Sequence, residues 1–335
     1  MELNKMPSPT FSVVIPAYNA AGTIAETIDS LLGQNCTFPG EIIVVNDGST
    51  DSTVAVVEKY GQRVSLLTKP HGGGPGAARN TGVLAANADL ILFLDADDIA
   101  LPGRLQRQVQ YMLANRNGVD VSFGNWIVEG EQDNYLARYG LLSNSDTFVG
   151  IDDAFARLLL CGSFIPTSTS AVWRALYISI GMQPEDRFYA EDYMLWCKIA
   201  AAGGRFAYSG QPLSWYRTQR AGRLTLSKHT YAGDVWVLHD MLLQHGALIS
   251  SEDYRLASGR FAKAVDTLLR HEWASEGRNK VLARLDSLAA LVSPRSRLKW
   301  EMLTLIPSTV PRAARWVMHS LPSNVTRTSF GRREN

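Results

Sequence analysis

Leu90-Ile91-Leu92-Phe93-Leu94-Asp95-Ala96-Asp97-Asp98 decides how the chain is read: five apolar residues in a row, then three carboxylates within four positions. A short apolar run without alternation suits a strand covered on both faces, in the middle of a sheet packed between helices. The acids then fall at the C-terminal end of the strand, the edge of an open α/β sheet where ligands bind. Carboxylates placed there are hard oxygen ligands for Mg2+ or Mn2+. The same acids also read as a turn that caps a following helix, since Leu101-Pro102 places proline in a first turn. The two readings stand level on this stretch alone, and its surroundings decide between them.

Upstream, Phe11–Ile15 is a second apolar, β-branched run, closed by Pro16. Glu41–Val45 and Val64–Leu67 read as two more strands. Between them, Ile24, Ile28, Leu31 and Leu32 recur at helical spacing up to Gly33, Val54 and Val57 sit on a second helix, and Ala77–Ala88 is helical in composition. Strand and helix alternate four times, which predicts a mainly parallel sheet with crossover helices. Downstream, a helix over Pro102–Asn115 and a strand over Val119–Val128 are followed by a polar surface excursion from Glu129 to Asp146. A helix over Ile151–Leu160, a strand over Thr167–Trp173, a helix after Ala190-Glu191-Asp192-Tyr193 and two short strands around Phe206 and Trp215 complete the unit. The expected organisation is a disordered N-terminus over 1–10, an α/β domain over 11–228, and a helical C-terminal extension over 229–335.

The chain has 335 residues, 46% hydrophobic, with 33 basic against 32 acidic side chains. That balance argues against general nucleic-acid binding, which needs a basic excess. Cys36, Cys161 and Cys197 show no metal-finger spacing and suit a reducing compartment. No signal-peptide core and no apolar run of about 18 to 20 residues is present, so a cytoplasmic protein is expected. Ser293–Asn335 interleaves arginines with Trp300, Leu303, Ile306, Trp316 and Val317. This describes either an amphipathic segment peripheral to an anionic membrane surface or a helix packed on its own domain with a solvated basic face.

Three loops belong at the C-terminal ends of parallel strands: Ala17-Tyr18-Asn19, Asn46-Asp47-Gly48-Ser49 and Asp95-Ala96-Asp97-Asp98. An aromatic that stacks, an acid that accepts from a base N–H and a metal-binding acid pair together suit a nucleotide diphosphate. Gly72, Gly74 and Ala77 formally satisfy a dinucleotide fingerprint, but they follow the third strand, and Pro75 removes an N–H that a phosphate would use. Arg79, one turn further, offers a permanent cation to the nucleotide instead. His71, His239, His245, His271 and His319 read as surface or core residues rather than ligands.

In order and spacing, Pro16-Ala17-Tyr18-Asn19, Asn46-Asp47-Gly48-Ser49, Gly76-Ala77-Ala78-Arg79-Asn80, Asp95-Ala96-Asp97-Asp98 and Glu191-Asp192 resemble the family 2 glycosyltransferases of the GT-A fold. The resemblance covers roughly Phe11–Lys228. It implies transfer of a sugar from a nucleotide diphosphate-sugar to an acceptor hydroxyl, with inversion and a divalent metal, Mn2+ or Mg2+, on the diphosphate. It places Ala17, Tyr18, Asn19, Asp47, Arg79, Asp95 and Ala96 at the nucleotide, Asp97 on the metal, Asp192 as general base and Glu191 beside it at the acceptor. Asp98 is left as the helix cap. Trp196, one turn after Asp192, reads either as a stacking surface for an acceptor sugar or as core.

There are departures from the family pattern. Asn46 stands where the family often has an acid, and no histidine follows Tyr216-Arg217, so metal binding would rest on Asp97, the diphosphate and water. The Gln-x-x-Arg-Trp signature of processive synthases is absent, which favours one sugar per encounter. The expected acceptor is a saccharide or a lipid-linked precursor of a polysaccharide, glycan or glycolipid, met at the cytoplasmic face of a membrane. Two other classes stay open: a sugar nucleotidyltransferase, which would want a basic glycine-rich loop where Ala17-Tyr18-Asn19 stands, and a non-catalytic nucleotide-sugar binding module, against which Asp97 and Asp192 speak.

Overall fold

The computed structural model describes residues 9–129, 135–141, 147–218, 230–275 and 277–304. In chain order the first half runs β1 (Phe11–Ala17), α1 (Ile24–Leu32), β2 (Gly40–Asn46), α2 (Thr53–Glu58), β3 (Ser65–Thr68), α3 (Gly74–Ala85) and β4 (Leu90–Phe93). β1 pairs in parallel with β2 on one side and β4 on the other, and β3 continues the parallel set beyond β2. Val13, Val14, Ile15 and all of Leu90–Phe93 are buried, which is why these strands are written as unbroken apolar runs. Residues 17 and 46 are partners at the ends of β1 and β2. α3 lies so close to this pair that a β-carbon at Gly82 would clash with Val14 and press on Val45.

Past β4 come β5 (Ile99–Ala100), α4 (Arg104–Ala114), β6 (Val121–Val128), β7 (Val149–Ile151), α5 (Ala154–Cys161), β8 (Ala171–Trp173), α6 (Arg174–Ser179), α7 (Glu191–Ala201) and β9 (Phe206–Tyr216). β8 runs antiparallel between β4 and β6, so the sheet turns mixed beside the acid loop. The strand order is β3-β2-β1-β4-β8-β6-β9-β5, with β7 also on β9.

Several elements differ from the sequence expectation. The two strands expected around Phe206 and Trp215 are one, β9, whose irregular middle at Pro212 is absorbed by register shifts on either side of Asn125 in β6. The strand expected over Thr167–Trp173 is a 3-10 turn at Thr167–Thr169 followed by a short strand. There Thr169 Oγ1 donates to the Gly124 carbonyl at 2.8 Å. The glycine loop also enters its helix three residues early, at Gly74, because Gly73 takes a left-handed φ of 78° and Pro75 suits the first turn.

By internal packing the chain divides into two units, Met1–Gly233 and Asp234–Asn335. Helices α8 (Thr230–His245), α9 (Ser251–Ser275), α10 (Arg278–Ser287) and α11 (Pro294–Thr304) account for most of the described residues from 230 on. In the second unit Leu238, Phe261, Leu269, Val281, Leu285 and Trp300 are buried. On α11, Arg297 pairs with Glu301 and Asp286, and Lys299 with Asp266, so this part of the basic tail is neutralised within its own unit. Ile306, Trp316, Val317 and the later arginines lie outside the described residues, as does His319. No helix among the described residues is long and apolar enough to cross a membrane.

Candidate active site

The loops after β1, β2 and β4 meet at one sheet edge, as parallel pairing requires. The Asp47 N–H donates to the Ala17 carbonyl at 2.8 Å. Asn19 takes a left-handed φ of 48°, which asparagine tolerates better than most residues. Its N–H donates to Ser49 Oγ at 3.0 Å and its Oδ1 accepts from the Thr50 N–H at 2.8 Å. The Ala96 carbonyl accepts from the hydroxyls of Thr23 and Thr27, at 2.9 and 3.0 Å. Ala17 and Ala96 are themselves buried. Of the residues expected at the nucleotide, these two therefore shape the loops and present no side chain, while Tyr18 is exposed beside them.

Arg79 is where the structure departs most usefully from expectation. Its guanidinium is buried. Nη2 donates to Asp95 Oδ1 at 2.6 Å, and Nη1 donates to Glu191 Oε1 at 2.9 Å and to Gln183 Oε1 at 3.3 Å. Burial works against its charge, yet Asp95 and Glu191, helped by Asp192, hold the group above its ordinary value. Arg79 is thus an internal clamp between the acid loop and the start of α7, not a cation held out to a nucleotide. Glu191 is corrected with it: the carboxylate expected at the acceptor is buried against Arg79.

Burial, and then the neighbouring Asp192, push the Glu191 carboxyl up to about 7, against the pull of Arg79. A native state that holds this proton to higher pH than the unfolded chain is favoured by it fully below about 4.5, the ordinary value, and loses that contribution as pH rises through 7. Urea-unfolding profiles of the wild type should show a fall on the order of 1–3 kcal/mol over this window, and Glu191→Gln should flatten it. An unchanged slope in the variant would assign the titration elsewhere.

Asp192 is half-buried at the first turn of α7, and its Oδ2 accepts from Thr167 Oγ1 at 2.7 Å. The chain enters this helix through Ala190 in a left-handed conformation, φ 60°, uncommon for a residue with a β-carbon. Trp196 does not face an acceptor. It is fully buried, and so are Tyr193, Met194, Leu195, Cys197 and Ile199, so the middle of α7 is enclosed around most of its circumference. Its position one turn from Asp192 therefore carries no information about exposure.

Asp98 is not a helix cap. It is fully buried, and α4 is preceded by Gly103 in the capping position. Neither carboxyl oxygen has a partner in regular hydrogen-bond geometry. Burial, then Asp95 and Asp97, raise this carboxyl well above its ordinary range. Beside it Arg104 is equally buried, lowered to about 9 by burial against the attraction of Asp98, and donates Nη2 to the Phe93 carbonyl at 2.8 Å. The sequence signal for this pair was the third acid itself, which neither a metal site nor a cap needs.

For a divalent cation the available donor is narrow. Asp95 is committed to Arg79, Asp98 is enclosed, and Asp97 is partly exposed, with its carbonyl accepting from Arg217 Nε at 3.3 Å. Among the described residues no group of three His, Cys, Asp or Glu side chains gathers as a metal cage. One carboxylate at a ligand edge suits the way Mg2+ is usually held, by one or two carboxylates together with substrate phosphates and water.

Residues 12–167 match the family described as glycosyl transferase family 2. An uncharacterised glycosyltransferase of Rickettsia typhi is 32% identical over 202 residues, covering 57% of this chain and 59% of that protein. The Escherichia coli UDP-Glc:alpha-D-GlcNAc-diphosphoundecaprenol beta-1,3-glucosyltransferase WfgD is 38% identical over 117 residues, 34% of this chain and 45% of WfgD. The chain thus spans less than two thirds of the length of these relatives. The Staphylococcus aureus TarS 1–349 structure with UDP-GlcNAc superposes with a TM-score of 0.61, covering 88% of this chain and 86% of that one at 19% identity, which establishes the GT-A fold. The matched segment holds Tyr18, Asp47, Arg79, Asp95 and Asp97 and stops at Thr167, so Glu191 and Asp192 lie beyond it.

Proposed function

We propose that the protein is an inverting, non-processive glycosyltransferase that moves a sugar from a nucleoside diphosphate-sugar to a saccharide or lipid-linked acceptor. The observation that carries this is the Asp95–Arg79–Glu191 clamp, which joins the nucleotide edge of the sheet to the helix whose first turn holds Asp192, across 112 residues between Arg79 and Glu191. Tyr18 offers a stacking face and Asp47 a carboxylate to the base. Asp97 is the residue to hold a divalent cation, which when bound neutralises charge on the diphosphate. On the opposite side Asp192 accepts the proton of the acceptor hydroxyl as its oxygen bonds to the anomeric carbon and the bond to the diphosphate oxygen breaks. A single displacement by one base inverts the centre. The choice of a UDP-sugar and a lipid-linked saccharide is supported by the glucosyltransferase WfgD, whose donor is UDP-Glc and whose acceptor is a diphosphoundecaprenol-linked GlcNAc, and by the UDP-GlcNAc bound to TarS. With such an acceptor, the reaction belongs at the cytoplasmic face of a membrane.

A thermal-shift screen of nucleoside diphosphates with and without Mn2+ tests this reading, since a ligand that binds only the folded state stabilises it by about 2.7 kcal/mol at a hundredfold excess over Kd. UDP or another diphosphate should raise the unfolding temperature, and more so with Mn2+ present. No shift with any of them would overturn the proposal.

A further inference from the structure

His71 has no role in the reaction just described, yet it engages both residues assigned to the base. Its imidazole lies flat on the Tyr18 ring, centroids 4.1 Å apart and planes 17° from parallel. Its Nδ1 is 3.1 Å from Asp47 Oδ2 and 2.9 Å from the Asp47 backbone oxygen. A flat ring stacked on an aromatic, with a ring N–H aimed at a carboxylate, is the pose a nucleobase would take in the same place.

We propose that His71 is the resident occupant of the base subsite, a side chain that fills it in the unliganded protein and must leave Tyr18 before a nucleotide base can stack there. The inference rests on the donor-site reading above.

The backbone around His71 is pinned, so the loop cannot simply withdraw. Gly48 has a φ of 68°, and a β-carbon there would come within 2.7 Å of the His71 backbone nitrogen. On the other side the Gly72 N–H donates to Asp47 Oδ1 at 3.3 Å, while Lys69 Nζ donates to the same oxygen at 2.5 Å and to the Gly72 carbonyl at 2.6 Å. Rotation of the side chain is the exit that remains, and the half-exposed ring has solvent to turn into. When it goes, Lys69 keeps Oδ1 and the carboxylate's Oδ2 becomes available to a base N–H. Every base therefore enters against an intramolecular competitor, which lowers apparent affinity by the fraction of molecules in which the subsite is open.

Calorimetric titration of UDP and of pyrophosphate, each with Mn2+, into the wild type and His71→Ala distinguishes an occupant from a wall of the pocket. Removing the occupant should tighten UDP by about three- to tenfold, the scale of one aromatic pair, and leave pyrophosphate, which has no base, unchanged. Equal or weaker UDP binding in the variant would overturn the inference and leave the donor reading intact. An equal change for pyrophosphate would overturn it too, since the effect would not be at the base. Binding of neither ligand to the wild type would sink the donor reading and this inference together. The wild type supplies a check that needs no variant: the Cε1–H resonance of His71, displaced by the Tyr18 ring current, should move to the position of an unstacked histidine on saturation with UDP. A resonance that stays in place would contradict displacement.

Discussion

Asp192→Asn should lower the rate of sugar transfer by about 10²- to 10⁴-fold, the range contributed by a positioned general base, while UDP binds as in the wild type. The amide keeps the shape of the carboxylate and can still accept from Thr167 Oγ1, which holds the acid at 2.7 Å. On the proposed mechanism, what it loses is the capacity to take the proton from the acceptor hydroxyl. Product formation at saturating donor, measured beside a UDP titration, separates the two effects. A turnover within a few-fold of wild type would remove Asp192 from the reaction, and a parallel loss of UDP affinity would show that it serves the donor instead.

Arg79→Met should destabilise the first unit by about 3–5 kcal/mol, because it leaves the buried carboxylate of Glu191 and the partly buried one of Asp95 without their cation. Asp95 and Glu191 both lean on this guanidinium, and Glu191 has almost no access to water. Lysine is a poor replacement, since its single ammonium cannot span both acids as a planar fork does. Urea unfolding of the wild type, Arg79→Met and the double variant Arg79→Met/Glu191→Gln measures the effect. The double variant should recover part of the loss by removing one stranded charge. A single-variant loss below about 1 kcal/mol, typical of an exposed ion pair, would mean the clamp is not the support described here.

Much of the architecture was legible because it is written locally. β1, β2 and β4 are apolar without interruption, and parallel connection then places Tyr18, Asp47 and Asp97 on one edge whatever the details of packing. Strands of two or three residues, β5 and β7, exist only through pairing with β9 and leave no periodic trace. Trp196 and Asp192 share a helical face, but sequence cannot say that this face is covered at Trp196 and partly open at Asp192. Asp98 reads as a helix cap, and Glu191 and Arg79 as ligand contacts, because charge ordinarily belongs at the surface or on a ligand. Their burial depends on partners far along the chain, and the same distance hid His71, whose stack on Tyr18 joins the β3–α3 loop to the one after β1.

The clamp has a consequence for how such enzymes can be recombined. One arginine on α3 binds an acid that follows β4 and another that opens α7, so α7 is not an interchangeable cassette. A chimera that imports α7 from a relative with an apolar residue at position 191 would leave Arg79 Nη1 without its carboxylate inside the protein, with Asp95 alone opposite the guanidinium. Grafts meant to alter acceptor choice should carry positions 79, 95 and 191 as one block, and sequence drift at any one of them constrains the other two.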